Sequence, residues 1–337
     1  MKKLLNIALF MLMTVSFFGQ SNWIWKYSTP EEHKANSTSI NKVLNTLSKD
    51  VHSCVVIRDG VIISEFFNAG YNNKSVFSLQ SVSKSITGAL VGIAIDQGLI
   101  GSENDYAADY LPELKNAKYK NMKLITIKQL LNNTSGLIGT DSKIWNEWRT
   151  SENWIDYILS RPMTANPGAY FEYSTGNSHI LGAILEKVTG KTLEEYAKEQ
   201  IFDKIGITSA YLDTDPQGIG DGGNGFHMTA YDMARFGLLF LNDGVWEGQQ
   251  VVPKRWVKES TSLKSRRPST GSRYGYQWWL KNYGKAGYLG YNAQGFGGQY
   301  IFVVPQLDLI VVFTSSRTGS ITPYFENVDK IVNACTR

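Results

Sequence analysis

Ser81 and Lys84 lie three residues apart at the start of the most apolar helix-like segment of the chain, LQSVSKSITGALVGIAIDQG, from Leu79 to Gly98. Residues with this spacing share one face of an α-helix, so a hydroxyl and an amine would lie side by side. A serine becomes a nucleophile when a base takes its proton and amide N–H groups stabilise the oxyanion that follows. At a helix N-terminus the backbone N–H of Ser81 is itself available for that second task. The pair therefore predicts covalent catalysis by a serine.

Lys84 is placed where the helix dipole and burial both disfavour a cation. As a neutral base it needs a pKa lowered by ~3 units from about 10.4, which is about 4 kcal/mol. The dipole supplies only about 0.3–1 kcal/mol, so desolvation must supply most of the shift. Alternatively, a charged lysine stabilises a nearby tyrosinate. A second Ser-x-x-Lys, Ser39 to Lys42, lies in polar sequence and predicts a solvated helix surface instead.

Tyr173 is the candidate partner for this pair. It follows a turn at Asn166-Pro167-Gly168 and precedes an apolar helix predicted from Asn177 to Val188. A tyrosine at a loop-to-helix junction can direct its hydroxyl into a cleft. Since the chain has 18 tyrosines, the position alone fits a core or rim residue as well.

Three segments in this order resemble the motifs of the serine β-lactamase and penicillin-binding-protein superfamily: Ser81-Val82-Ser83-Lys84, Tyr173-Ser174, and Gly295-Phe296-Gly297-Gly298-Gln299. The similarity is greatest to the class C β-lactamase-like branch, which includes esterases, D-amino-acid peptidases and 6-aminohexanoate-dimer hydrolases. It extends over about residues 51–314. Three flanking blocks agree with it: residues 130–137, 222–241 and 274–279.

The resemblance implies a role for each motif residue. Ser81 would be the acylated nucleophile, and Lys84 and Tyr173 would share the general-acid and general-base steps. The oxyanion hole would combine the backbone N–H of Ser81 with that of Gln299.

The glycine-rich third motif would border the substrate at Phe296, Gly297 and Gly298. Glycines there let a substrate backbone lie close to the strand, although a bulge at the strand start would use them equally well.

Two departures from the family pattern bear on the substrate. Tyr173 is followed by Ser174-Thr175 where Tyr-x-Asn is common, which leaves Asn177 as a candidate substrate-binding residue. The third motif lacks its usual lysine, and without that cation the anchoring of a substrate carboxylate is weakened. We therefore expect an uncharged or small ester or amide. The aromatic residues that would form apolar cleft walls, or else pack in the core, are Trp278, Trp279 and Tyr276.

The elements that must position these residues show strand-like sequence at both chain ends. The run SCVVIRDGVIISEFF predicts a hairpin turning at Asp59-Gly60, and GGQYIFVVPQLDLIVVFTS predicts a second strand pair around a proline turn. Residues 30–50 and 321–335 are typical of amphipathic helices, and Thr192 and Thr229 begin capping patterns.

The predicted fold is therefore α+β and β-lactamase/transpeptidase-like. An antiparallel sheet is built from both chain ends, flanked by helices, and carries an inserted mainly helical subdomain. The sheet part covers about residues 21–99 and 273–337, and the insert about 100–272.

Composition is that of an ordinary globular protein, with 42% hydrophobic and 19% charged residues and a formal net charge of +4. The one basic cluster, Lys264, Arg266, Arg267 and Arg273, is interleaved with Ser, Pro and Gly, so it predicts a solvated loop rather than nucleic-acid binding. The four histidines lack metal-ligand spacing, and we expect neither metal nor cofactor.

The N-terminus predicts export. A basic start is followed by an apolar run from Leu4 to Phe18 and by Gly19-Gln20-Ser21. This pattern indicates a secretory signal peptide over residues 1–20 and a secreted or periplasmic protein without a stable membrane anchor. In that setting Cys54 and Cys335 would form a disulfide or remain buried thiols.

The leading hypothesis is an exported serine hydrolase that cleaves a small ester or amide through a Ser81 acyl-enzyme. The alternatives are a D-amino-acid peptidase, a β-lactamase or penicillin-binding protein, and a non-catalytic binding relative. No Gly-x-Ser-x-Gly occurs in the sequence, which excludes the nucleophile elbow of the α/β-hydrolases.

Overall fold

The computed structural model describes residues 23–336, apart from the side chains of Ser142 and Lys143. The predicted signal peptide lies outside the described residues. Within them, no helix combines the length and apolarity needed to cross a membrane.

The main sheet has eight antiparallel strands in the order β2-β1-β13-β12-β11-β10-β9-β8, and two smaller sheets have the orders β3-β5-β4 and β6-β7. The strands are β1 (Val51–Arg58), β2 (Val61–Phe67), β3 (Val76–Ser78), β4 (Tyr211–Leu212), β5 (Phe226–Thr229), β6 (Val245–Trp246), β7 (Gln249–Gln250), β8 (Ser265–Arg266), β9 (Arg273–Tyr274), β10 (Trp279–Tyr283), β11 (Tyr288–Gly295), β12 (Gln299–Val304) and β13 (Leu309–Ser315).

The helices are α1 (Ser37–Leu44), α2 (Ser83–Asp96), α3 (Ile127–Leu131), α4 (Thr140–Lys143), α5 (Trp145–Arg149), α6 (Trp154–Leu159), α7 (Thr175–Thr189), α8 (Leu193–Ala197), α9 (Ala230–Leu241), α10 (Lys254–Ser260) and α11 (Thr322–Ala334).

Both faces of the main sheet are covered because its central strands are apolar on both sides. Successive side chains of a strand point to opposite faces, so Val55 and Ile57 enter one core while Cys54 and Val56 enter the other. The first core packs α2 and α9 against the sheet, and the second packs α1 and α11. The α+β prediction with a sheet drawn from both chain ends is confirmed.

The hairpins and caps follow the sequence closely. Asp59 and Gly60, both with positive φ, form the turn between β1 and β2. Thr192 and Thr229 accept hydrogen bonds from the backbone N–H groups of Glu195 and Asp232, as the capping patterns predict.

Two predicted boundaries differ from the structure. The segment 30–50 contains a short 3₁₀ turn and then α1, because the side chain of Asn36 caps α1 by accepting from the backbone N–H of Ser39 at 2.7 Å. Helix α9, assigned by sequence to the helical insert, packs against β1, β12 and β13 and so belongs with the sheet.

Cys54 and Cys335 lie in the same core as buried free thiols. Burial raises the pKa of both. The structure therefore has two free thiols, and not the disulfide that was the other alternative for these cysteines.

Candidate active site

Ser81 lies in a 3₁₀ turn, Gln80–Val82, that leads directly into α2. The residue before it, Gln80, has φ +49°, a left-handed conformation that costs energy in a residue other than glycine. The turn lies against β11, where a Cβ on Gly295 would be 2.3 Å from the carbonyl oxygen of Leu79. Only glycine fits there, so the end of β11 and the nucleophile are held together by backbone contact.

Lys84 is 1% exposed and lies within hydrogen-bond distance of four oxygen atoms. Its Nζ is 2.8 Å from Ser81 Oγ, 2.8 Å from Thr175 Oγ1 and 2.9 Å from the carbonyl oxygen of Gly223. Asn224 Oδ1 is further away, at 3.4 Å, and lies 3.1 Å from Ser81 Oγ. The serine–lysine pair predicted from the sequence is thus in direct contact.

Burial lowers the pKa of Lys84 from 10.5 to about 8. Asp141 and Asp221 act in the opposite direction because their negative charges favour the ammonium, whereas the positive charge of Arg149 favours the neutral amine. Desolvation is the largest of these effects. With this pKa about a tenth of Lys84 is a free amine at pH 7 and about half at pH 8, and the neutral form is the one that can act as a general base.

Thr175 and Asp141 fix the direction in which the Lys84 amine can accept a proton. The hydroxyl of Thr175 donates to Asp141 Oδ1 at 2.7 Å, and its backbone N–H donates to Asp141 Oδ2 at 2.5 Å. Since that hydroxyl proton is committed, Thr175 can only accept from Lys84, as the carbonyl of Gly223 must. A neutral amine has two N–H donors and one lone pair. When the neutral amine donates to Thr175 and Gly223, its lone pair is left for Ser81.

Tyr173 lies at the same site, immediately before the Ser174 N-cap of α7. Its ring centroid is 5.1 Å from Lys84 Nζ, and its ring stacks on Trp279 with centroids 5.6 Å apart. Burial and the negative charge of Asp141 raise the pKa of Tyr173, while a hydrogen bond with Ser81 lowers it. A raised pKa favours a protonated phenol that donates hydrogen bonds. It therefore favours the hypothesis in which Lys84 is a neutral base over the one in which a charged lysine stabilises a tyrosinate.

A loop between β4 and β5 supplies the oxygen atoms of Gly223 and Asn224 to the site. Asp221 holds this loop by accepting from the backbone N–H groups of Gly223 at 3.2 Å and Asn224 at 3.1 Å. Arg149 Nη1 donates to the buried Asp221 carboxylate at 2.5 Å, and the guanidinium carbon Cζ of Arg149 lies 3.9 Å from the ring centroid of Trp154. The positions of both oxygen atoms therefore depend on an ion pair from the helical insert.

Asn177, predicted to bind substrate, is 1% exposed. Its Oδ1 accepts from Ser135 Oγ at 2.8 Å, and its Nδ2 donates to Asn133 Oδ1 at 3.0 Å. Asn133 in turn accepts from the backbone N–H of Ser174. The side chain of Asn177 thus braces the Tyr173–Ser174 junction in this structure, and substrate contact stays a prediction.

Trp278 requires a correction. It is fully buried, with its ring packed against Phe236, Phe240 and Tyr291, so it forms core rather than a cleft wall. Its neighbour Trp279 is the first residue of β10, and that ring contacts Tyr173 instead.

The glycine-rich motif forms the turn between β11 and β12. Phe296 is 69% exposed at its tip, and Gly297 and Gly298 have positive φ. Gln299 pairs with Gly295 across the hairpin, and its side-chain amide donates to the carbonyl of Ser315 at 2.5 Å. The predicted oxyanion role of the Gln299 backbone N–H stays a prediction.

The last residues of β11 offer another backbone donor. β10 begins at Trp279, opposite Asn292, so Gln294 has β12 on one side and no strand on the other. The backbone carbonyl of Gly295 accepts from the backbone N–H of Gly298, so the backbone N–H and C=O of Gly295 face β12. The backbone groups of the preceding residue, Gln294, point the opposite way, toward the open side of β11. The backbone N–H of Gln294 is therefore a second candidate for the oxyanion hole.

Sequence reasoning missed Asp141, Thr175, Gly223 and Asn224. Gly223 and Asn224 fall within a block, residues 222–241, that the family resemblance had already marked, and Thr175 is the second residue after Tyr173. Asp141 is a single acidic residue in a polar segment and gives no sequence signal.

Comparison with known proteins supports the family resemblance. The Beta-lactamase family model matches residues 51–336. The 6-aminohexanoate-dimer hydrolase of Paenarthrobacter ureafaciens is 26% identical over 286 residues, which cover 78% of this chain and 71% of that protein.

Two solved structures share the fold. A Bacillus anthracis protein described as a 6-aminohexanoate-dimer hydrolase has a TM-score of 0.76 at 23% identity, covering 93% of this chain and 87% of that one. The hydrolase EstCE1, described as having promiscuous acyltransferase activity, has a TM-score of 0.75 at 17% identity, covering 89% and 99%. With the family model matched over most of its length, this chain belongs to the beta-lactamase family, within the serine β-lactamase and penicillin-binding-protein superfamily.

Proposed function

We propose that the protein is a serine hydrolase that cleaves a small ester or amide through an acyl-enzyme on Ser81. The observation that carries the proposal is the contact of the buried Lys84 Nζ with Ser81 Oγ at 2.8 Å, in a site where burial lowers the pKa of that amine. Relatives described as a dimer hydrolase and a hydrolase with acyltransferase activity support cleavage of an acyl bond.

In the acylation step the Ser81 hydroxyl gives its proton to Lys84 Nζ as its Oγ attacks the carbonyl carbon. The resulting oxyanion is stabilised by the backbone N–H of Ser81 and a second amide at the β11 edge or at Gln299. Tyr173 and the Lys84 ammonium then pass one proton to the leaving oxygen or nitrogen as its bond to the carbonyl carbon breaks.

Deacylation reverses these roles. Water gives a proton to the amine–phenol pair, and its oxygen attacks the acyl carbon. The bond to Ser81 Oγ then breaks, and that oxygen recovers its proton while the acid product leaves.

The test is labelling with a fluorophosphonate, which reacts with activated serines, followed by peptide mass analysis. We expect label on Ser81 and none on the Ser81→Ala variant. Ser39→Ala is the matched control because Ser39 has the same three-residue spacing to a lysine on an exposed helix, and it should label normally. Labelling elsewhere, with Ser81 unmodified in a folded protein, contradicts the proposal.

A substrate panel separates the alternatives. p-Nitrophenyl esters, nitrocefin, D-alanyl peptides and the 6-aminohexanoate dimer should each be assayed with Ser81→Ala as blank. D-stereospecific release would identify a peptidase, and nitrocefin turnover a β-lactamase. A substrate acyl group that stays on Ser81 without release, or substrate binding that yields no product over hours, would identify a binding relative.

Export is a separate proposal, and it is supported by the N-terminal sequence pattern alone. N-terminal sequencing of protein recovered from the periplasm or medium should begin near residue 21, and an intact N-terminus on cytoplasmic protein contradicts it.

A further inference from the structure

Gln277 is a buried residue in a left-handed backbone conformation, and the catalytic steps proposed above do not use it. Its φ is +63°, and it is 2% exposed. Such a conformation costs energy in a residue other than glycine, and it persists only where the surrounding contacts hold it in place. Those contacts therefore indicate what the residue does.

The backbone of Gln277 is joined to α2 and α3. Ser85, the residue after Lys84, donates its hydroxyl to the carbonyl oxygen of Gln277 at 2.7 Å. The backbone N–H of Gln277 donates to the carbonyl oxygen of Leu131, the last residue of α3, at 3.2 Å. Packing against α2 is close, because a Cβ on Gly88 would be 3.1 Å from both Cβ and Cγ of Gln277. The start of α2 is thus attached to the main chain of residue 277.

The side chain of Gln277 is joined to α7. Its Oε1 accepts from Ser178 Oγ at 3.2 Å. Ser178 lies three residues after Thr175, whose hydroxyl is 2.8 Å from Lys84 Nζ, and residues with this spacing share one face of a helix. The amide of Gln277 and the amine of Lys84 therefore contact the same face of the first turn of α7.

The same amide is also joined to the aromatic residues around Tyr173. Gln277 Oε1 accepts a second hydrogen bond from the hydroxyl of Tyr274 at 3.2 Å, and its Nε2 donates to the carbonyl oxygen of Leu130 at 3.4 Å. The ring of Tyr274 packs edge-on against that of Tyr173, with centroids 6.2 Å apart. One amide thus contacts neighbours of both the catalytic amine and the catalytic phenol.

We propose that Gln277 is a positioning residue that holds the first turns of α2 and α7 together, and so fixes Lys84 and Tyr173 relative to each other. The proposal rests on the proposed function. Gln277 touches no reacting atom. Its loss would leave the buried hydroxyls of Ser178 and Tyr274 without this acceptor, so the start of α7 would shift to satisfy them.

Two substitutions of Gln277 test this role. Gln277→Met keeps the length of the side chain and removes its hydrogen bonds, and Gln277→Gly also removes them but suits the positive φ. For each variant, at a temperature where thermal melts report a folded protein, we expect kcat for p-nitrophenyl hexanoate and the rate of fluorophosphonate labelling to fall about tenfold. KM should change by less than about twofold, because binding of the substrate does not use Gln277.

The matched control is Glu247→Gly. Glu247 is another left-handed residue, with φ +47°, in the turn between β6 and β7. Its exchange for glycine should leave kcat, KM and the labelling rate at their wild-type values.

A double-mutant cycle tests the route of the effect. Ser178→Ala removes one donor to the Gln277 amide and should lower kcat by about threefold in the wild type. In the Gln277→Met protein it should lower kcat no further, because the hydrogen bond is already absent. An effect of Ser178→Ala that persists in full beside Gln277→Met contradicts the proposed link.

Hydrogen exchange, measured by mass spectrometry, gives a readout that needs no turnover. In Gln277→Met the backbone amides of residues 175–180 should exchange faster than in the wild type, while those of β12 keep the wild-type rate. A general loss of stability would speed exchange in both segments.

The outcomes separate the two proposals. Wild-type kcat and labelling of Ser81 in the Gln277 variants, with or without reduced stability, overturn the positioning role and leave the hydrolase. Exchange of residues 175–180 at the wild-type rate in Gln277→Met overturns the link to α7. Faster exchange confined to that segment, in a protein whose wild type takes no label on Ser81, retains the link and overturns the hydrolase.

Discussion

At the level of single residues, the site depends on which hydrogen-bond partners of Lys84 can donate and which can only accept. The Thr175 hydroxyl is committed to Asp141, and the Gly223 carbonyl has no proton, so the amine has one direction left in which to act as a base. Asn224 Oδ1 gives the Ser81 hydroxyl an alternative acceptor at 3.1 Å, which would hold its proton when Lys84 is charged.

The first prediction concerns the pH dependence of wild-type activity. Since the neutral form of Lys84 is the base and its pKa is lowered to about 8, kcat/KM for p-nitrophenyl hexanoate should fall about tenfold per pH unit well below pH 8 and level off above it. The measurement is kcat/KM from about pH 6 to pH 9.5. A profile that is flat between about pH 6 and pH 8 would show that Lys84 is not the titrating base.

The second prediction concerns Asp141→Asn. Asp141 raises the pKa of Lys84, so its neutralisation should move the acidic limb of the kcat/KM profile to lower pH. The plateau of kcat should fall by about tenfold, because the Thr175 hydroxyl is no longer committed and can donate to the amine lone pair. Thr175→Val is the comparison: it should lower the plateau while keeping the Asp141 charge. An acidic limb of Asp141→Asn that stays in place or moves upward contradicts this account.

At the level of elements, the site is assembled where the start of α2, the start of α7 and the 221–225 loop meet. The contact is close: a Cβ on Gly223 would be 2.4 Å from Thr175 Cγ2 and 2.9 Å from the Thr175 carbonyl oxygen. The backbone of this loop can therefore reach Lys84 only because residue 223 has no side chain.

The third prediction is the effect of Gly223→Ala. The added methyl group must push the loop away from α7, which moves the residue-223 carbonyl away from Lys84 and frees one amine donor. We expect kcat/KM and the rate of fluorophosphonate labelling to fall by about a hundredfold, since a displacement of about 1 Å can cost that much. Gly319→Ala is the control and should label at the wild-type rate, because a Cβ at this glycine would make only an ordinary contact, with Arg317 Nε at 3.8 Å. A Gly223→Ala protein that labels at that rate would show that the loop does not position the amine.

The fourth prediction concerns Arg149→Gln. Arg149 lowers the pKa of Lys84, so its loss should move the acidic limb to higher pH, opposite to Asp141→Asn. The free energy of unfolding should also decrease by about 1–3 kcal/mol, because the buried Asp221 loses its charged partner. The measurements are the pH profile of kcat/KM and urea unfolding. Reduced stability with an unmoved acidic limb would give Arg149 a purely structural role.

At the level of the whole molecule, local sequence patterns predicted the features that lie within one segment, but they did not predict the contacts between distant segments. The Ser81–Lys84 pair follows from helical spacing within one segment, and the β1–β2 hairpin follows from Asp59-Gly60 between two β-rich runs. Gly223 reaches Lys84 across 139 residues of chain, and helical or strand periodicity carries no information over that separation.

The error at Trp278 has a related cause. Trp278 and Trp279 are adjacent aromatic residues, and the sequence alone cannot say which ring packs in the core and which faces the cleft. Trp279 begins β10 opposite Asn292, whereas Trp278 precedes the strand and packs against Phe236 and Phe240.

The final prediction concerns stability, to which the whole fold contributes. Burial lowers the pKa of Lys84 from 10.5 to about 8, so between these values the unfolded chain holds a proton that the folded chain has released. Stability therefore rises with pH in this window. Lys84→Met removes the titrating group while retaining an apolar side chain of similar length.

The unfolding free energy of the wild type relative to Lys84→Met should be constant below about pH 8, because both states then carry the proton. It should rise by up to about 3 kcal/mol toward pH 10.5, which corresponds to the full difference in pKa. Urea unfolding at a series of pH values measures this difference. Lys42→Met, at an exposed lysine, is the control: it shows how the unfolding free energy changes with pH when an amine that stays in solvent is removed. A wild-type advantage that is constant or falls with pH would mean that Lys84 keeps its proton when buried, and the amine could not then be the base that activates Ser81.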